Sequence, residues 1–269
     1  MKRFWSSVFV VPLLVLLLVG GMGRGGDDKA SPWKAFLSAD VYRELSQRSV
    51  QAIEAAAKSG DKNAATKIEI EAAILAGYTL SIADPKSQEA STLRGAALQA
   101  SRAARKKEIE PLKKFAKTSK SGVLAPADPK LLKANVPAVE ELMEIFRNKS
   151  KGGEGLNADL QYHPKLKNLN GIEALLGALS AKKLSEDNLA KVEKELPKLA
   201  YRIAVVAAIT HELTPQKRAG EWRDLSIQMR EASLALADAA NKKNADGILK
   251  AAVSLESSCT QCHSAFKGK

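Results

Sequence analysis

The chain has 269 residues, 42 Lys and Arg against 30 Asp and Glu, and 45% apolar residues of which few are aromatic. That length suits one large domain or two small ones, and a composition led by Ala, Leu, Lys and Glu points to an all-α protein. The net charge of +12 is spread evenly, with basic and acidic residues interspersed as on solvated helix faces. No dense basic run or aromatic interleaving suggests nucleic-acid binding, which leaves a solvated surface or steering toward an acidic partner or anionic lipid.

Residues 1–26 open with Met1-Lys2-Arg3, run apolar from Val8 to Val19 around Pro12, and turn Gly-rich from Gly20 to Gly26. A charged start and an apolar run of about twelve residues, too short to span a bilayer comfortably, read as a secretory signal peptide. Export to the periplasm or an equivalent compartment is therefore expected. No clean Ala-x-Ala site marks the cleavage point, and an uncleaved anchor is the alternative reading.

Residues 27–121 read as a helical domain with helices near 38–58, 62–82 and 87–108 and a short tail helix to Lys120. No Cys or His occurs before residue 128. Residues 122–129, with Pro126 and Pro129, read as a linker.

Residues 130–269 carry four seams of apolar residues spaced alternately three and four apart, each the mark of one buried helix face. The first helix is expected from Asn135, a possible N-cap with Pro137 just inside, and to end before Gly152-Gly153, along Val136, Val139, Met143 and Phe146. A crossover over 152–184 follows, with one short helix near Ile172–Leu179; His163, in Tyr162-His163-Pro164, reads as a surface-loop residue. The second helix runs from about Ser185 to Leu213, with a kink or break at Pro197. The third, about Pro215–Lys242, uses Trp222, Leu225, Met229, Ala232, Leu236 and Ala239. The last begins near Asp246, a plausible N-cap, and uses Ile248, Ala252, Leu255, Cys259, Cys262 and Phe266. Four such helices make an antiparallel four-helix bundle.

An internal repeat is also suggested. The stretch Ala73–Pro85 loosely matches Ile203–Pro215. Leu93 and Ala100-Ser101 align with Leu225 and Ala232-Ser233 at a separation of 132, and Lys106-Lys107 has a counterpart in Lys242-Lys243. On this reading the first half is a degenerate bundle without the features described next.

The last helix holds the chain's two cysteines, in Cys259-Thr260-Gln261-Cys262-His263. Cys-x-x-Cys-His is the attachment sequence of a c-type haem. Two thiols one helical turn apart can each add to a haem vinyl group, and the adjoining imidazole then meets the iron as proximal ligand. Competing readings are a redox dithiol, a zinc site and an incidental pair. The first usually sits at a βαβ turn, and no strand pattern precedes this one; the second needs further ligands at metal-site spacing, and no other cysteine exists.

The order of these pieces resembles the class II c-type cytochromes, the cytochrome c′ group, over roughly residues 128–269. The motif at Cys259–His263, the following Phe266-Lys267 and Trp222 carry the resemblance. It implies one covalent haem c and packing of Trp222 and Phe266 against it. It also implies either a methionine near the start of the first helix as sixth ligand or a five-coordinate iron. Met143 matches the first by location; His211, in the last turn of the second helix, is the alternative ligand. A possible homodimer is a further implication, as many such bundles pair through their first two helices.

The resulting expectation is an exported monohaem electron carrier working with a redox partner protein, one that the basic charge suits if it is acidic. A protein binding a small gas ligand (NO or CO) at an open iron is the alternative, and a non-haem helical protein with a Cys259–Cys262 disulfide or dithiol the third. No carboxylate pair, nucleophile–base set or phosphate loop stands out, so no enzymatic activity is indicated.

Overall fold

The computed structural model describes residues 31–121 and 123–266; the expected signal peptide and Lys267 lie outside them. Twelve α-helices follow in order: α1 (Ala39–Ser59), α2 (Ala64–Leu80), α3 (Gln88–Arg105), α4 (Phe115–Thr118), α5 (Pro129–Asn135), α6 (Val139–Leu142), α7 (Pro164–Leu169), α8 (Ile172–Ala181), α9 (Glu186–Val192), α10 (Leu196–Glu212), α11 (Ala219–Asn241) and α12 (Ala245–Phe266). No β-strand occurs among the described residues, only two isolated bridges. The protein is all-α.

The long helices stop and start where local chemistry dictates. Ser38 caps α1, its Oγ accepting from the Val41 amide, and Gly60 ends that helix at φ +67°. Ser87 and Ser185 cap α3 and α9 in the same way. The break expected at Pro197 is present: α9 stops at Val192, and α10 restarts at Leu196 with the proline in its first turn, where a missing N–H costs nothing. The last helix starts one residue before Asp246. Asn244 is the side chain that caps it, accepting from the Gly247 amide at 3.0 Å, while Asp246 pairs with Lys183 at 2.7 Å.

The expected first helix of the C-terminal part is not continuous. Asn135 ends α5 instead of starting a helix. Val136 before Pro137 is extended (ψ 154°), as a residue preceding proline prefers. Only α6 and two 3₁₀ turns, Met143–Phe146 and Lys149–Lys151, follow. The crossover in turn holds two helices, α7 and α8. Lys183 at the end of α8 meets Asp246 near the start of α12, and Ser180 and Gly177 meet Glu256 further on. α8 therefore runs antiparallel to α12, with its first turn toward the Cys259–His263 end. α10, α11 and α12 pack as successive antiparallel neighbours.

α2 and α10 lie at the centre and pack on each other. α2 is buried without interruption from Ala72 to Leu80, and α10 from Arg202 to Thr210. Their approach is close at Gly77, where a Cβ would stand 2.5 Å from Val205 Cγ1. α1 and α3 flank α2. One continuous hydrophobic core runs from Trp33 to Leu255, and the described residues from Pro32 onward form one compact unit. Residues 123–129 are tied into it: buried Arg94 donates to the carbonyls of Ala125 and Pro126 at 2.7 and 2.9 Å.

The two halves share a helix order. α2 spans 64–80 and α10 spans 196–212, a shift of 132 at both ends. The two lysine pairs occupy equivalent helix ends. Lys107 and Lys243 are left-handed (φ 61° and 52°), and in each case the next amide reaches back five residues, Glu108 to Ala103 and Asn244 to Ala239. Beyond α3, where the other half has α12, Pro111 opens a run of short 3₁₀ and α turns, Glu110–Ser121.

Candidate functional site

The seam of α12 leaves the core as it approaches the motif. Ile248, Ala252 and Leu255 are buried; Cys259, Cys262 and Phe266 are half-buried. Both thiols are free. Burial pushes Cys259 up to about 11, with Cys262, Glu173 and Glu256 adding to the effect and a hydrogen bond with Ser258 opposing it. Burial raises Cys262 as well, with Glu221 adding. Glu173 lies in the first turn of α8 and Glu221 in that of α11, while Glu256 belongs to α12 itself. His263 is exposed, and its imidazole makes no hydrogen bond or ion pair among the described residues.

The start of α11 and the end of α12 are tied by a small cluster. Trp222 is buried, and its indole N–H donates to the Thr210 carbonyl in α10 at 2.7 Å. Its ring meets Phe266 edge-on at 5.0 Å and 89°. Arg218, left-handed at φ 57°, forms a two-toothed pair with Glu221 at 2.6 and 2.7 Å. It also lies 5.1 Å over the Phe266 ring and donates to the Ala265 carbonyl at 2.7 Å, capping the C-terminus of α12. Sequence reasoning missed Arg218, Glu221 and Glu173, because a loop arginine and two first-turn glutamates carry no motif.

Of the named residues, Trp222 and Phe266 are brought into contact beside the motif. His211 sits next to Thr210, at the same end of the helices. Its Nδ1 is buried without a hydrogen bond, 3.7 Å from Glu212 Oε1, and Glu212 in turn accepts from the Trp33 indole at 3.0 Å. His211 and the Trp33 N–H together hold the Glu212 carboxyl below its ordinary range. Met143 is half-buried and heads the 3₁₀ turn that packs on α8. It therefore stands in a short turn and not two turns into a long helix. His163 is exposed and caps α7, its Nδ1 accepting from the Lys165 amide at 3.2 Å.

Among the described residues no group of three or more His, Cys, Asp and Glu side chains gathers as a metal-ion site, and no helix is long and apolar enough to cross a membrane. Comparison with known proteins finds no family, no curated protein and no solved structure that matches the chain.

Proposed function

We propose that this chain is an exported monohaem c-type cytochrome that transfers electrons. Cys259 and Cys262 would hold the haem through thioethers, and His263 would be the proximal iron ligand. The observation that carries the reading is the apolar seam of α12, which surfaces over its last two turns with both free thiols on it. The residues present fit such a group. A disulfide would deny it the sulfurs, and an imidazole already bound to a neighbour would deny it the ligand; neither occurs among the described residues. Burial raises both thiols, the opposite of the lowered values a reactive dithiol uses.

When bound, the haem supplies a one-electron couple whose potential depends on its axial ligands and the dryness of its surroundings. The protein's own residues set those surroundings. Trp222 and Phe266 offer an apolar wall, and Arg218 holds the last turn of α12, and so His263, against α11. The first half repeats the helix order without cysteine or histidine and serves as scaffold. The basic balance of the chain suits an acidic redox partner.

The sixth position separates two versions of the proposal. Met143 would raise the potential if it ligates, with His211 as the alternative. A specific observation favours an open iron and a small gas ligand instead. α8, one of two helices antiparallel to α12, carries the apolar Ile172, Leu175 and Leu176 along its first turns, with Glu173 the one ionisable side chain among them.

The test is the intact mass and visible spectrum of the chain matured in a cell able to attach haem. Covalent haem with sharp reduced bands and a weak far-red band is expected for methionine ligation. A broad high-spin spectrum shifting with carbon monoxide is expected for the open site. Met143→Ala should turn the first spectrum into the second; an unchanged low-spin spectrum rejects Met143 and passes the question to His211→Ala. A mass corresponding to bare or disulfide-linked cysteines overturns the haem assignment itself.

A further inference from the structure

Of the three large apolar side chains that stand exposed among the described residues, two are neighbours in the chain: Val123 at 67% and Leu124 at 59%. A single exposed apolar residue needs no explanation. Here two stand side by side on a backbone that α3 holds firmly. A Cβ at Gly95 would collide with the Val123 carbonyl, so only glycine lets the segment lie this close to the helix. The Ala125 amide donates to the Ser91 carbonyl at 3.0 Å, and the Ser91 hydroxyl donates to the Ala125 carbonyl at 2.7 Å. Buried Arg94 holds the same carbonyl and that of Pro126. Ala125 itself is buried, so Val123 and Leu124 form a ridge just before the chain turns inward.

The run leading to this ridge is basic. From Pro111 to Ala127 the chain has four lysines and no acidic residue. The short turns over Glu110–Ser121 bury Leu112, Phe115 and Ser119 and pack on α1 and α3. That leaves Lys114, Lys117 and Lys120 exposed, and their ammonium groups make no ion pair among the described residues. Lys113 is already paired with Glu110 at 2.8 Å. Spaced three apart in a run that is largely 3₁₀, the three free lysines follow one side of it. Lys120 is three residues before Val123, so their Cα atoms are at most ~11 Å apart. The whole row from Lys114 to Leu124 extends at most ~25 Å.

We propose that this ridge docks the protein on the surface of a membrane containing anionic lipid. The lysines meet the phosphate headgroups, and Val123 and Leu124 enter the boundary between headgroups and acyl chains. Two features favour a bilayer over an acidic protein. The apolar pair protrudes, and a bilayer accepts a protruding side chain without a matching pocket. The cations are all lysines, point charges that need no fixed partner geometry, as mobile headgroups require. Apolar burial and basic charge are the two contributions that hold proteins at anionic membrane surfaces, and both are present on one short ridge. The proposal does not depend on haem attachment.

Co-sedimentation of the purified full chain with vesicles tests it, with phosphatidylcholine alone compared with phosphatidylcholine mixed with phosphatidylglycerol. Binding to the mixed vesicles and not to the neutral ones is expected, weakening as salt rises. Lys114→Gln, Lys117→Gln and Lys120→Gln together should weaken it about 100-fold, at roughly fivefold per lysine. Val123→Ser with Leu124→Ser should weaken it about tenfold or more at unchanged charge. An equal loss of charge elsewhere, Lys182→Gln with Lys191→Gln and Lys250→Gln, should change it less than about threefold, because distant charges are screened. All these positions are exposed, and unchanged helical circular dichroism verifies that each variant is folded. No binding to the mixed vesicles, or equal binding to both compositions, overturns the proposal. So does binding indifferent to either set of ridge substitutions; loss through the lysines alone would assign them to steering toward an acidic protein instead.

Discussion

Cys259 is the residue on which packing and chemistry meet. It belongs to a seam whose earlier members are buried in the core, and its thiol is held near 11 mainly by that burial. Removing a thiol from water favours its neutral form, so the reactive thiolate is scarce at ordinary pH. At pH 8 only roughly one thiol in a thousand would be ionised, against about a quarter for an unperturbed cysteine. In the haem-free chain, alkylation of Cys259 by iodoacetamide should therefore climb about tenfold per pH unit up to about pH 11. A rate that levels off by pH 9 would show that burial does not control this thiol. Arg94 shows the same physics with opposite outcome. Its desolvated guanidinium has no carboxylate against it among the described residues, and it donates to four acceptors: the carbonyls of Pro85, Ala125 and Pro126 and the Thr79 hydroxyl. Burial still lowers its pKa, the expected direction for a cation taken from water.

At the scale of elements, the α2–α10 contact decides how the halves join. Both helices are apolar on nearly every side, which an amphipathic surface helix never is, and each fills the other's otherwise unburied face. The close approach at Gly77 makes a test with opposing effects. Gly77→Ala would gain about 0.5–1 kcal/mol from helix propensity. It would lose about 1–3 kcal/mol to overpacking, because the new methyl would sit 2.5 Å from Val205 Cγ1 inside a filled core. The variant should unfold at lower denaturant, and Val205→Ala in the same chain should recover part of the loss by vacating that space. A Gly77→Ala protein more stable than the parent would mean that the helices separate freely.

For the whole molecule, charged pairs across the halves add a pH dependence. Glu195, at the head of α10, accepts from Arg48 of α1 at 2.6 and 2.9 Å and from Lys198 at 3.1 Å. Arg48 in particular, with Lys198, lowers the Glu195 carboxyl from 4.5 to about 2 against the opposing effect of its partial burial. A depressed folded-state pKa contributes stability that is fully present above the unfolded value and is lost as pH falls through the folded one. The Glu195 contribution should therefore fade between pH 4.5 and pH 2. Glu195→Gln should lower the denaturant midpoint at pH 7, and the gap between variant and parent should close across that window. A gap that persists unchanged to pH 2 would assign the loss to packing and not to charge.

Much of this protein is legible in its residues. Periodicity and caps place the boundaries of α1, α2 and α3, the break before Pro197, and the span of α11 to within a few residues, because these depend on local hydrogen bonds and on which side of a helix is apolar. The Cys259–His263 spacing is a local property of the same kind, since it places two thiols one turn apart on any helix that carries them. Apolar spacing alone misassigned Val136–Phe146: Val136, before Pro137, is extended, α6 begins only at Val139, and it gives way to a 3₁₀ turn at Met143. It could not single out α8 as a second antiparallel partner of α12 beside α11, or the burial of α10 on nearly all sides, because neighbours distant in sequence create those environments. The cluster around Arg218 is likewise a product of tertiary contact: an ordinary loop arginine becomes a cap for α12 only because the fold brings the two helix ends together. The sequence by itself determined which segments are helical and where the paired thiols lie; only the tertiary structure decided which helix faces them, since that choice rests on packing between residues far apart in the chain.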